Sequence, residues 1–140
     1  MSISAYIIKP HGLMFRKEIR ETIEASGLVI TESKQLTLPK WALKKIYDDL
    51  PDKYCDAVFR QYAGMLIEAG LVSGENAVEK LLKVVGTELD PVDCAPGSIR
   101  FRLGGKKPFI VDGVRCYFNI IHRPRNEAEA EKDIAIFRLL

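Results

Sequence analysis

A mainly apolar run over 3–8 stops at Lys9-Pro10-His11-Gly12, which predicts a short strand that ends near Lys9 and leaves into a turn. Over 16–25, Ile19, Ile23 and Ala25 recur among charges at helical spacing, and Ser26-Gly27 supplies the stop. Imperfect alternation across 28–38 predicts a long strand with one exposed face. Pro39 then opens a helix to about residue 49, at a first-turn position where proline is tolerated. A second helical repeat covers 52–63, and 65–72 reads as a strand weakened by Gly70. The clearest helix is SGENAVEKLLKVVG, 73–86, with Ser73 near its start, Gly86 at its end and Ala77, Val78, Leu81, Leu82 and Val85 as an inward stripe.

Residues 94–100 are turn-rich. Two β runs then flank Asp112-Gly113, a hairpin signal over about 103–115 with Lys106 and Lys107 expected at or near its tip. The apolar run continues to Ile121, and a helix rich in Glu, Lys and Ala starts near Asn126. The order β, α, β, α, α, β, α, hairpin, α favours a single α+β domain over 1–140, because several strands alternate where a doubly wound parallel sheet needs wholly apolar ones. The expected arrangement is ferredoxin-like, βαββαβ: an antiparallel sheet with helices on one face and a hairpin inserted before the last strand.

Composition narrows the function classes. With 140 residues, 47% of them apolar, and a net charge of +2, the chain fits one domain with its own core. A pI near 8.4 is too mild for a protein that binds nucleic acid by neutralising phosphates, which argues against nucleic acid as the partner, while small anions remain suitable ligands. The three cysteines Cys55, Cys94 and Cys116 are widely spaced, suggest neither a disulfide framework nor a zinc site, and point to a reducing, cytoplasmic setting. No apolar run reaches membrane-spanning length, and Lys9-Pro10 interrupts the start too early for a signal peptide. Of only two histidines, His122 stands where the last apolar run meets the final helix, at a strand end of the kind where open α/β sheets place their chemistry.

Four fragments in series, YIIKPHG near the start, SGENAVEKL in the middle, APGSIR at 95–100 and NIIH at 119–122, together resemble the nucleoside diphosphate kinases over nearly all of the chain. The resemblance implies ping-pong transfer of a terminal phosphoryl group from a nucleoside triphosphate to a nucleoside diphosphate, with His122 as the nucleophile. An imidazole suits that role: with an ordinary pKa of about 6.5 it is largely neutral at pH 7, and one ring nitrogen both attacks phosphorus and leaves it. Its other nitrogen needs a partner. Asp133 lies about seven residues into the final helix, roughly 10 Å along the axis, so a helix folding back can present its carboxylate. The family has a glutamate there, so the shorter aspartate would have to reach further.

The resemblance also implies that Lys9 contacts the transferring phosphate, that Arg100 binds phosphate, and that Asn119 bonds the sugar hydroxyl and the phosphate. Tyr47 matches a tyrosine near the catalytic histidine. Tyr54 is the nearest candidate for the aromatic that stacks on the base, although Cys55 falls in strict register. Each residue also has a plainer reading: His122 as a core hydrogen-bonding group, Lys9 as a surface strand end, Arg100 and Asn119 as turn-stabilising groups, and the tyrosines as core. The implied ligands are nucleoside di- and triphosphates, with Mg2+ carried by the nucleotide and no protein metal cage, and the implied assembly is a homo-oligomer built from dimers.

The chain departs from the family pattern in places. His122 is followed by Arg123-Pro124-Arg125 instead of Gly-Ser-Asp, which removes a serine that helps organise the histidine and adds two cations able to contact a phosphate. A second phosphate arginine, expected four residues before Gly86, is Leu82, and the adjacent Lys83 points elsewhere on a helix. The chain also stops early at IFRLL, short of the tail that braces subunits in relatives. These departures sustain an alternative from another class, a nucleotide-binding or assembly module of the same fold with impaired catalysis. A basic nucleic-acid-binding domain, resting on Lys106, Lys107 and nearby arginines, is a weaker third reading.

Overall fold

The first apolar run becomes strand β1 (Ser2–Ile8) in the computed structural model, which describes residues 1–140. Successive residues of β1 point to opposite faces, yet Ala5, Tyr6, Ile7 and Ile8 are all buried. Helices therefore cover both faces of the sheet, where the sequence pattern predicted one. On one side α1 (Arg16–Ala25) and α4 (Ala77–Val85) bring Ile19, Ile23, Leu81 and Val85 onto Tyr6, Ile8 and Val72. On the other, α2 (Lys40–Ile46), α3 (Asp52–Tyr62) and α6 (Glu127–Leu139) pack Leu43, Ile46, Val58, Ile136 and Phe137 against Ala5, Ile7, Ile67 and Ala69. The alternation that suggested one open face belongs to β2 (Val29–Thr37), an edge strand, and does not extend to its neighbour β3 (Leu66–Gly74), which is buried along most of its length.

The main sheet runs β2-β3-β1-β6, with β6 (Ile121–His122) at the far edge and every neighbouring pair antiparallel. This is the ferredoxin-like βαββαβ arrangement. Gly70, which weakened β3 on paper, lies under the Tyr6 ring, where an added Cβ would sit within 2.4 Å of ring carbons. The Tyr6 hydroxyl donates to buried Glu68 at 2.9 Å, and Arg16 and Arg20 of α1 pair with the same carboxylate, so the one acid inside the sheet is compensated.

Several boundaries differ from the sequence reading. α2 ends at Ile46 rather than near 49, because Pro51 disfavours helical geometry in Leu50 and the segment closes in a turn, with Leu50 N–H donating to Tyr47 O at 3.1 Å. Ser73 belongs to β3, paired with Ile3 and Val29. The first turn of α4 is instead capped from a distance: Ala77 N–H donates to Ser2 Oγ at 2.8 Å. Within the turn-rich segment, Ser98 starts a short helix α5 (Ile99–Leu103) by accepting from Phe101 N–H. The hairpin is β4 (Phe109–Val111) and β5 (Val114–Cys116), with Asp112 (φ 49°) and Gly113 (φ 77°) at its tip; Lys106 and Lys107 precede β4 rather than occupying that tip. Asp112 pairs with Arg60 of α3, which docks the hairpin on that helix.

The last apolar run is not continuous strand. Ile121 N–H donates back to Asn119 O at 2.7 Å, a three-residue turn that holds Ile120 at φ 58°. A β-branched residue with positive φ is strained. The turn separates hairpin from sheet and sets Asn119 and His122 on either side of the bend.

Candidate functional site

The site forms where β1 and β6 end side by side. Ile7 pairs with His122 across the ladder, so Lys9, two residues on, leaves the sheet beside the histidine. The Lys9 backbone N–H donates to Ile120 O at 2.9 Å, fixing the exit of β1 to the strained turn. Its side chain is buried and its ammonium donates to Asn119 Oδ1. Asn119 Nδ2 donates in turn to Leu89 O at 3.2 Å.

Arg100, in the first turn of α5, spans two backbone carbonyls: Nη1 donates to Glu88 O at 2.7 Å, and Nη2 to Ile121 O at 2.8 Å. Arg123 is also buried and donates from Nε and Nη2 to Gly86 O at 3.0 and 2.8 Å. The short segment after α4 thus supplies acceptors to three polar side chains: Gly86 to Arg123, Glu88 to Arg100 and Leu89 to Asn119. Lys9, Arg100 and Arg123 take part in none of the ion pairs of the structure. Burial, and then the neighbouring Arg100 and Arg123 charges, push the Lys9 ammonium down to about 7. Burial and Arg100 lower Arg123 to about 10, which leaves it charged at neutral pH. Unpaired buried cations are costly, and an arriving anion relieves that cost.

His122 meets the final helix as the sequence suggested. α6 is capped by Asn126, whose side chain accepts from Glu129 N–H at 2.9 Å, and folds back over β1. It presents Asp133 with Oδ2 2.8 Å from His122 Nε2. The aspartate is long enough because the helix itself comes close. With the ring hydrogen on Nε2 donated to the carboxylate, Nδ1 keeps its lone pair. The Tyr47 ring stands edge-on to the imidazole at 5.7 Å, and Tyr54 packs on Tyr47 at 5.9 Å.

These groups share a cleft of about 230 Å³. Lys9, Tyr47, Tyr54, Arg100, Asn119 and His122 line it, and Asp133 lies behind the imidazole. All seven residues singled out in the sequence therefore come together. The His122 side chain keeps 14% exposure, so it is open to the cleft. Tyr54 reaches the cleft, whereas Cys55 is buried in the core. Arg123 and Arg125, indistinguishable as sequence, separate: Arg123 enters the cationic cluster, and Arg125 stays exposed at the rim, paired with Asp49 and Glu129. Lys83 turns away to pair with Glu79.

The family model described as "Nucleoside diphosphate kinase" matches residues 3–138. The chain belongs to the nucleoside diphosphate kinase family. Curated relatives of that name include one from Pyrococcus horikoshii, 29% identical over 134 residues and covering 94% of this chain and 81% of the relative. Another, from Borreliella burgdorferi, is 26% identical, covering 94% and 83%. Among solved structures, a nucleoside diphosphate kinase from Encephalitozoon cuniculi superposes with a TM-score of 0.80 at 25% identity, covering 98% of this chain and 88% of that one. A Borrelia burgdorferi structure described as a transition-state mimic with bound vanadate and ADP shares the fold at a TM-score of 0.82 and 23% identity, covering 97% and 86%.

Leu82 and Arg123-Pro124-Arg125 are the positions at which the sequence resemblance led one to expect other residues. Burial separates the two arginines: only Arg123 faces Arg100 and Lys9. No sequence signal marks that difference, because it depends on a carbonyl 37 residues away in the chain.

Proposed function

We propose that this chain is a nucleoside diphosphate kinase that carries the transferring phosphoryl group on His122. Nδ1 attacks the terminal phosphorus of a nucleoside triphosphate. The N–P bond forms as the bridging P–O bond breaks, and the diphosphate leaves with the electrons of that bond. A second diphosphate then attacks the phosphorus through a terminal oxygen, and the N–P electron pair returns to Nδ1. Throughout, Asp133 holds the Nε2 hydrogen and so offsets charge that develops on the ring. Phosphoryl transfer is mostly positioning and charge stabilisation, which gives Lys9 and Arg100 their roles on the phosphate oxygens. Asn119 bonds the sugar hydroxyl and the phosphate, Tyr47 packs the imidazole, and Tyr54 offers a stacking face that tolerates any base.

The observation that carries this reading is the acid-braced imidazole open to a cleft whose three buried cations lack carboxylate partners. The substrate enters as its magnesium complex, the ion held by the phosphates. No group of three His, Cys, Asp or Glu side chains is placed to hold a metal. A homo-oligomer built from dimers is supported by the exposed β2 edge, and a monomer found by light scattering would remove that part. Cytoplasmic placement rests on three free, buried cysteines. No helix is long and apolar enough to cross a membrane.

Incubation with a triphosphate labelled on its terminal phosphate tests the reading. The chain is expected to give an acid-labile, alkali-stable phosphoprotein that empties on adding a diphosphate, and His122→Ala is expected to abolish it. Label that persists in His122→Ala would remove the histidine from the mechanism. Failure to label at any nucleotide concentration would favour the impaired binding module, which the Arg123-Pro124-Arg125 and Leu82 departures support.

A further inference from the structure

Arg123 immediately follows the imidazole, yet its side chain folds away from solvent into the cleft. A guanidinium has five N–H groups, and Gly86 O takes one from Nε and one from Nη2, leaving three, two of them on Nη1. No carboxylate pairs with it. Of the groups that act on it, Arg100, Lys9 and Arg125 repel, the Cys94 sulfur and Glu129 attract, and Glu129 is itself bonded to Arg125 at the rim. A buried guanidinium held rigid at one edge, with donors to spare and cations beside it, is poised for an oxyanion.

From this geometry we propose that Arg123 is a phosphate-binding catalytic residue, its free N–H groups contacting oxygens of the phosphoryl group as it passes to and from His122. The proposal rests on the kinase reading above. It also accounts for Leu82. The guanidinium that the family resemblance led one to expect from the last turn of α4 is missing, and Arg123 brings one to the same helix end from β6, anchored on Gly86, whose own N–H bonds Leu82 O. The side chain that replaces the small residue after the histidine thereby restores the missing cation. A purely structural role, in which Arg123 only ties β6 to the end of α4, would leave the remaining donors idle.

The test compares native chain with Arg123→Ala, Arg123→Lys and, as a charge-matched surface control, Lys83→Ala. The rate of His122 phosphorylation by a magnesium triphosphate is expected to fall about 100-fold or more in Arg123→Ala, with the loss in kcat at saturating nucleotide. Guanidinium ion added to Arg123→Ala is expected to recover part of that rate, whereas a tie between elements would not be restored by a free ion. Arg123→Lys is expected to stay well below native, because an ammonium cannot bridge the carbonyl and the phosphate as a planar fork does. Lys83→Ala is expected to match native. A folded Arg123→Ala or Arg123→Lys that phosphorylates within threefold of native overturns the proposal. Should Arg123→Ala fail to fold, Arg123→Lys decides by the same criterion. If native chain forms no phosphohistidine, the kinase reading fails by itself. Calorimetric titration with a nucleoside diphosphate then judges Arg123: at least tenfold weaker binding in the variant sustains phosphate contact, and equal affinity ends it.

Discussion

Lys9 is buried against two arginines with only an amide oxygen at its ammonium, and that environment gives it a measurable signature. Its folded pKa of about 7 lies below the usual lysine value of 10.5, so between those pH values the unfolded chain holds a proton that the folded chain lacks. The group therefore opposes folding fully below pH 7 and releases that cost as pH rises from 7 toward 10.5. A bound phosphate restores the charge. Diphosphate binding at pH 8 is expected to take up close to one proton, and at pH 6 nearly none, measured by calorimetry in buffers of different ionisation enthalpy. No uptake at pH 8 would mean that the ammonium is already charged in the free cleft. His122 and Asp133 stood out in the sequence through local properties, a strand–helix junction and an offset along a helix, whereas Lys9 read locally as a surface strand end and was singled out only by the family resemblance. The burial of Arg123 was not legible. It arises from a contact with Gly86, which no periodicity encodes.

The segment that follows α4 acts as a bracket for the cleft, and Gly86 is its first residue. Gly86 has φ 127°, and an added Cβ would meet Cys94 Sγ at 2.8 Å and Arg100 Cβ at 3.2 Å. Gly86→Ala is expected to destabilise the fold by roughly 1–3 kcal/mol in denaturant titration and to weaken diphosphate binding by displacing Arg100 and Arg123. Unchanged stability and affinity would show that the bracket tolerates the shift. At this scale the sequence located most strands and helices to within a few residues, since apolar periodicity and Gly or Pro stops mark them. It failed where distant chain decides. The cap of α4 comes from Ser2, the bend at Ile120 is held by the docked Lys9 backbone, and α5 is too short for its periodicity to register. The expectation of helices on one face failed for a related reason. The open alternation of β2 reflects an edge strand, while the central strands bury both faces.

Taken whole, the molecule places helices on both faces of a four-stranded sheet and sets the candidate site at the adjoining ends of β1 and β6, where a cationic cleft meets an imidazole braced from behind. Nε2 of His122 lies 2.8 Å from Asp133 Oδ2, so the proposed transfer runs through Nδ1. The position of the phosphorus on the ring tests this directly. Phosphorus NMR of the chain after brief exposure to a magnesium triphosphate, with ring nitrogens identified through their coupled protons, is expected to show one phosphoryl group per chain on Nδ1 of His122. A phosphoryl group on Nε2, or on His11, would contradict the account.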